Sequence, residues 1–121
     1  MVGNDEIQRA AEQFLDEMLD AEEKLDYQLF VKRFEKKDVD NFGESRFTKD
    51  MYAIRTDLGA YQSRKFLGAL NGYEDADNAG RHPGCIRYVW RGIFEKNETL
   101  MIMGIHAKDG IFYVNEFMYH H

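Results

Sequence analysis

Residues 84–119, GCIRYVWRGIFEKNETLMIMGIHAKDGIFYVNEFMY, decide how this chain folds. Apolar and polar side chains alternate through them, the period of a strand with one buried face. Two turn signals interrupt the alternation: Lys96-Asn97, bracketed by Glu95 and Glu98, and Asp109-Gly110, a dipeptide suited to a tight hairpin. The segment therefore reads as three consecutive antiparallel strands. Two-residue loops at these positions set Trp90 opposite Met103 and Met103 opposite Glu116. One face then carries Tyr88, Trp90, Phe94, Met101, Met103, Ile105, Phe112, Val114, Glu116 and Met118. The other carries Arg87, Val89, Arg91, Ile93, Leu100, Ile102, His106, Tyr113, Asn115 and Phe117. A slip of one residue in the second loop would exchange the faces of the last strand.

Upstream the period changes. Ile7, Ala10, Ala11, Phe14, Leu15, Met18 and Leu19 recur at helical spacing, with Asn4 or Asp5 as cap and Asp5 and Glu6 suited to the N-terminal dipole. Leu25, Leu29, Phe30 and Phe34 predict a shorter second helix. Thr48 fits the N-cap of a third helix through Met51, Tyr52, Ile54, Arg55 and Leu58, ended by Gly59. Phe66, Leu67 and Leu70 place a first strand within Tyr61–Leu70, and the Gly- and Pro-bearing residues 71–84 read as a loop. Helices followed by a sheet make a single α+β domain over residues 1–121, three helices packed on one face of a four-stranded antiparallel sheet.

Charge narrows the function classes. The net charge is −6 over 121 residues, and acids dominate from Asp5 to Asp26. Such a helix repels phosphate, and the basic cluster Lys32, Arg33, Lys36 and Lys37 reads as a solvated face, so no nucleic-acid partner is expected. No run reaches the ~20 apolar residues of a membrane span, so no membrane partner is expected. The polar N-terminal stretch is unlike a signal peptide, which makes cytoplasm the default compartment, although the mature part of an exported protein would read the same. Cys85, the single cysteine, reads as a small buried hydrophobe. Asp75 to Gly80 has a calcium-loop flavour, but Ala79 and Ile86 occupy ligand positions, so no metal is expected. No cofactor motif stands out.

The segment Ile54-Arg55-Thr56-Asp57-Leu58-Gly59-Ala60-Tyr61-Gln62-Ser63-Arg64 resembles a pattern of a bacterial family of unknown function with a cystatin-like fold, akin to the nuclear transport factor 2-like superfamily. In that pattern an arginine and a Leu-Gly close a helix and a Ser-Arg pair opens the first strand; Leu58, Gly59, Ser63 and Arg64 match it. Gly84 to Phe94 and Asp109 to Val114 are similar to the family's closing strands, with Phe112 where a Trp is usual. The resemblance implies helices against a curved sheet, a cone-shaped cavity and frequently a homodimer. It implies no activity, since this fold hosts isomerases, dehydratases, transport adaptors and silent domains. The Gln-x-Val-x-Gly loop of cystatin protease inhibitors is absent.

Within that frame Tyr88, Trp90, Met103 and Glu116 are candidate walls of a small apolar ligand cavity between the third helix and the sheet. Glu116, set among aromatics and methionines, would have a raised pKa suited to proton transfer. The opposite face, with Arg87, Ile102 and Phe117, is too apolar for a wet surface and is the candidate homodimer interface. His106 reads as a hydrogen-bonded strand residue and Arg64 as an ion-pair partner; His82 has no partner at ligand spacing, and His120 and His121 make a weak metal site. The expectation is a soluble binding or interaction module without cofactor, more than an enzyme. The rival is an isomerase- or dehydratase-type enzyme with Glu116 as base.

Overall fold

The computed structural model describes residues 4–70 and 85–120. Its elements are α1 (Asn4–Lys24), α2 (Tyr27–Val31), a 3-10 turn (Lys36–Asp38), α3 (Glu44–Leu58), β1 (Tyr61–Leu70), β2 (Ile86–Phe94), β3 (Glu98–Lys108) and β4 (Ile111–His120). The strands form one open antiparallel sheet in the order β1-β2-β3-β4. Helices cover one face, so the domain is α+β. The calcium-like stretch 75–80 and His82 fall outside the described residues, as does His121.

The apolar stripe of α1 buries Ala11, Phe14, Leu15, Met18 and Ala21 against the sheet. The helix ends where Leu25 turns to φ 56. There Asp26 N–H reaches the Ala21 carbonyl at 2.8 Å and Leu25 N–H the Glu22 carbonyl at 3.4 Å. This is a Schellman-type stop with leucine in the place glycine usually takes. Leu25 is thus a turn rather than part of the second helix. Asp26 then caps α2, its Oδ1 accepting from Leu29 N–H at 3.1 Å.

Phe34 also lies outside α2. Its backbone bridges to Val114 in parallel fashion, and Val114 N–H donates to the Arg33 carbonyl at 2.9 Å. The free edge of β4 recruits this segment because unpaired strand groups seek partners. α3 begins at Glu44, ahead of the expected Thr48, since Phe47 is fully buried on the same helix face as Met51 and Leu58.

The turn between β2 and β3 sits one residue earlier than Lys96-Asn97. Ile93 pairs with Glu98, and Phe94 N–H donates to the Asn97 carbonyl at 3.0 Å, leaving Glu95-Lys96 as the corner. The end of α3 selects this placement: Lys96 N–H donates to the Leu58 carbonyl and Glu95 N–H to the Ala60 carbonyl, both at 2.8 Å. Trp90 therefore faces Met101, and Tyr88 faces Met103. A two-residue shift leaves the faces of β2 and β3 as expected, with Tyr88, Trp90, Met101, Met103 and Ile105 buried.

The Asp109-Gly110 turn forms as expected, both residues at positive φ (54° and 79°), and the β3–β4 register runs regularly from Lys108↔Ile111 to Ile105↔Val114. Then the register shifts, and Gly104 faces Glu116. Asn115 is the extra residue of a β-bulge, which reverses the outward and inward alternation beyond it. Glu116 and Met118 lie on the outer face, whereas Phe117 and Tyr119 turn toward the helices. This corrects the expected faces of Glu116, Met118 and Phe117. The physical reason is charge: a carboxylate beside Met103 would lose its hydration without a partner.

Gly104 makes room for the bulge. A Cβ at this position would stand 2.7 Å from Asn115 Nδ2 and 2.9 Å from Glu116 Cγ. Gly104→Ala is therefore expected to lower stability by about 1–3 kcal/mol, the usual cost of overpacking. Urea unfolding checks this, with a lower midpoint and an unchanged slope as the expected result.

Candidate functional site

The described residues line an open-sided cavity of about 590 Å³ between the C-terminal halves of α1 and α3 and one end of the sheet. α1 contributes Asp16, Leu19, Asp20, Glu22 and Glu23; α3 contributes Met51, Ile54 and Arg55. Gly59 to Tyr61, Phe94 and Tyr119 complete the wall. The lining combines an apolar floor of Leu19, Met51, Ile54 and Phe94 with the ionisable side chains Asp16, Asp20, Glu22, Glu23 and Arg55. A wider depression of about 710 Å³ along Glu44, Ser45, Lys49 and Tyr52 is open and formed by exposed residues, which suits solvent better than a ligand.

Glu22 is the unusual group of this cavity. It follows Leu15 by seven residues and Met18 by four, so helical geometry carries it onto the apolar stripe of α1. Only 8% of its surface is exposed. Its carboxyl oxygens each lie 2.7 Å from the Tyr119 hydroxyl, which donates to one of them. Loss of hydration pushes the Glu22 carboxyl up to about 8, against the smaller opposing effects of the Tyr119 hydrogen bond and the Arg55 charge. Burial, together with the neighbouring carboxyl, also holds the Tyr119 hydroxyl well above its ordinary range.

Arg55 is committed elsewhere. Its Nη2 donates to the backbone carbonyls of Glu22 at 2.7 Å and Glu23 at 2.5 Å, capping the last turn of α1. The guanidinium of Arg64 binds Glu12 at 2.9 Å, Asp16 at 2.8 Å and the Tyr61 hydroxyl at 3.1 Å, an ion-pair partner that ties β1 to α1. Glu22 is thus a buried acid in the wall of the cavity, its pKa raised by burial and its oxygens met by the Tyr119 hydroxyl.

The residues selected from the sequence lie elsewhere. Tyr88, Trp90 and Met103 are core, 3%, 0% and 0% exposed. The Trp90 indole N–H donates to Glu12 at 2.9 Å. None of the three lines the 590 Å³ cavity. Glu116 forms a bidentate pair with Arg87 on the outer face, Arg87 Nη2 lying 2.9 Å from Glu116 Oε2. Ile102 shares that face with Arg87, whereas Phe117 packs inward against Phe30 and Tyr119. Sequence reading missed Glu22 because it counted as one acid among many in α1. Extending the apolar stripe by one turn would have found it. Tyr119 was not findable without the bulge.

His106 holds a carboxylate that the sequence did not place beside it. Its Nε2 lies 2.6 Å from Glu35 Oε1, its Nδ1 3.1 Å from Asn115 Oδ1, and its ring stacks on Tyr113. Glu35 reaches His106 because residues 33–34 run along the edge of β4. The His106 hydrogen bond, with Lys108 at 3.1 Å and Lys37 at 3.9 Å, draws the Glu35 carboxyl down to about 2. Glu35, Asp38 and His106 have ligand atoms within 4.8 Å of one another, close enough for a metal ion. The two lysines on Glu35 oppose a cation there.

No family model, no curated protein and no solved structure matches this chain. No helix among the described residues is long and apolar enough to cross a membrane.

The Glu22 carboxyl makes stability depend on pH. Its folded-state pKa lies above its ordinary value of 4.5, so its stabilising contribution is complete below that value and is lost as pH rises through about 8. Glu22→Gln keeps the shape and removes the titration. The variant should equal the wild type near pH 5 and exceed it in melting temperature at pH 9, as thermal unfolding across that range would reveal.

Proposed function

We propose that this chain is a non-enzymatic small-molecule-binding module of cystatin-like, nuclear transport factor 2-like type, with its ligand seated in the cavity between α1, α3 and the end of the sheet. The observation that carries this reading is the Glu22–Tyr119 pair, a buried acid and hydroxyl in the wall of a cavity that also has the apolar side chains Leu19, Met51, Ile54 and Phe94. Helices on one face of an antiparallel sheet with a cavity between the layers are what the Leu58-Gly59 and Ser63-Arg64 resemblance implies. Proton transfer through Glu116 is disfavoured by its place on the outer face, paired with Arg87.

Benzyl alcohol is a suitable first probe. Titrated against protein with labelled methyls, it should shift Met51 and Ile54 saturably. Ile54→Trp, which fills the cavity, should abolish those shifts while circular dichroism stays unchanged. Non-saturating shifts spread over the surface would reject the site.

We further propose a homodimer through the outer sheet face. Val89, Ile93, Leu100 and Ile102 remain half-buried there in the single chain, and Met118 is exposed. Two cations of this face have partners on it, Arg87 with Glu116 and Arg91 with Glu98 at 2.9 Å. The negative charge of the chain is concentrated on α1, on the opposite side of the sheet. Two copies can therefore approach sheet to sheet with least repulsion. Light scattering should give twice the 14.2 kDa mass, and Ile102→Glu should return it to one chain. A wild-type monomer at high concentration rejects the dimer.

A further inference from the structure

Met118 stands on the outer sheet face where the dimer proposed above would form, and the role assigned to it here rests on that reading. Val89 pairs with Ile102 across β2 and β3, and Ile102 pairs with Met118 across β3 and β4. Directly paired residues project to the same face, so the three side chains make one apolar row across the sheet. The row on one side of it is Arg87, Gly104 and Glu116, and the row on the other is Arg91, Leu100 and His120. Charged or ionisable groups end both neighbours. The Val89-Ile102-Met118 row is thus the apolar centre of any contact that two such faces make.

The sulfur atoms of the chain differ sharply in access. Met18, Met51, Met101, Met103 and Cys85 are all buried, whereas Met118 is 39% exposed. Among the described residues it is the one sulfur that a solvent-borne oxidant meets. A thioether has no proton to lose, so access governs its oxidation. The bulge at Asn115 creates that access, because the alternation set by the Asp109-Gly110 turn would otherwise point Met118 toward the helices.

We propose that Met118 is a redox-modification site whose oxidation by a peroxide blocks assembly of the dimer. The sulfur lone pair attacks one oxygen of hydrogen peroxide, an S–O bond forms and the O–O bond breaks. The proton of the transferred hydroxyl passes to the departing hydroxide, which leaves as water. Sulfur gives up two electrons and the peroxide gains them. The product is a polar, chiral sulfoxide in place of a flexible apolar side chain. Val89 and Ile102 beside it have no side-chain donor for its oxygen. A second copy laid over the row would therefore strip that oxygen of water without replacing the hydrogen bond. A two-fold contact brings one sulfoxide from each copy, so the penalty enters twice. Oxidant reaches the separate chains and the dimer covers the sulfur, so oxidation and assembly compete for one surface. A thiol-dependent sulfoxide reductase reverses the step: two thiols become a disulfide, and the oxygen leaves as water.

Hydrogen peroxide treatment, read by peptide mass spectrometry and light scattering, tests the assignment. Met118 should gain one oxygen ahead of Met18, Met51, Met101 and Met103, and the dissociation constant of the dimer should rise by at least about tenfold. Met118→Leu should dimerise and remain dimeric after the same treatment. Met118→Gln should weaken the dimer with no oxidant present, and circular dichroism should be unchanged in both variants. Raising the chain concentration through the dimerisation range should slow oxidation of Met118. A dimer that survives full oxidation of Met118 overturns the site and leaves the dimer in place, as does loss of the Met118→Leu dimer on treatment. An oxidation rate indifferent to concentration, in a chain that scatters as a dimer, does the same. A wild-type chain that is monomeric before any oxidant is added rejects the dimer reading, and the role of Met118 with it.

Discussion

One extra residue in β4 controls what the second half of that strand presents to each side. Before Asn115 the strand keeps the alternation set by the Asp109-Gly110 turn, and Val114 enters the core. After it, Glu116 faces outward to Arg87, while Phe117 and Tyr119 face the helices. Without the bulge a carboxylate would be pressed against Met103, and the Tyr119 hydroxyl would never meet Glu22. Gly104 is the space that lets the bulge exist. The core at the cavity end and the ion pair on the outer face thus share one backbone irregularity.

The two ends of the domain solve the burial of charge differently. At one end, Glu35 is stabilised as a carboxylate by His106, Lys108 and Lys37, so its pKa falls. At the other, Glu22 has a hydroxyl as its close partner and no ionic one, and burial raises its pKa. Both belong to the helical half of the chain, and both meet sheet residues distant in sequence. A buried acid held without an ionic partner costs stability that a better-packed apolar side chain would not.

Much of the architecture was legible locally. Period-two alternation located β2, β3 and β4, the helical stripe located α1, and Asp109-Gly110 located a turn whose residues both take positive φ. Reading of the candidate site went less far. Tyr88, Trp90 and Met103 were grouped correctly on one face, but an apolar face is filled core in one place and cavity wall in another. Which it becomes depends on the helices above it: α1 covers Trp90, whose indole N–H donates to Glu12, while a cavity remains beside Phe94 between α1 and α3.

By itself, then, the sequence determined the α+β class, the three-strand meander and the faces of β2 and β3, because periodicity and turn chemistry act over a few residues. Tertiary structure alone decided three further features. It moved the β2–β3 corner to Glu95-Lys96, since the end of α3 supplies carbonyls for those two amides. It drew residues 33–34 to the edge of β4, since an exposed edge has unpaired backbone groups. And it turned Glu116 outward and Tyr119 inward, since a carboxylate seeks a guanidinium and an aromatic ring seeks the core. These outcomes rest on partners far away along the chain, which no local pattern in the sequence can name.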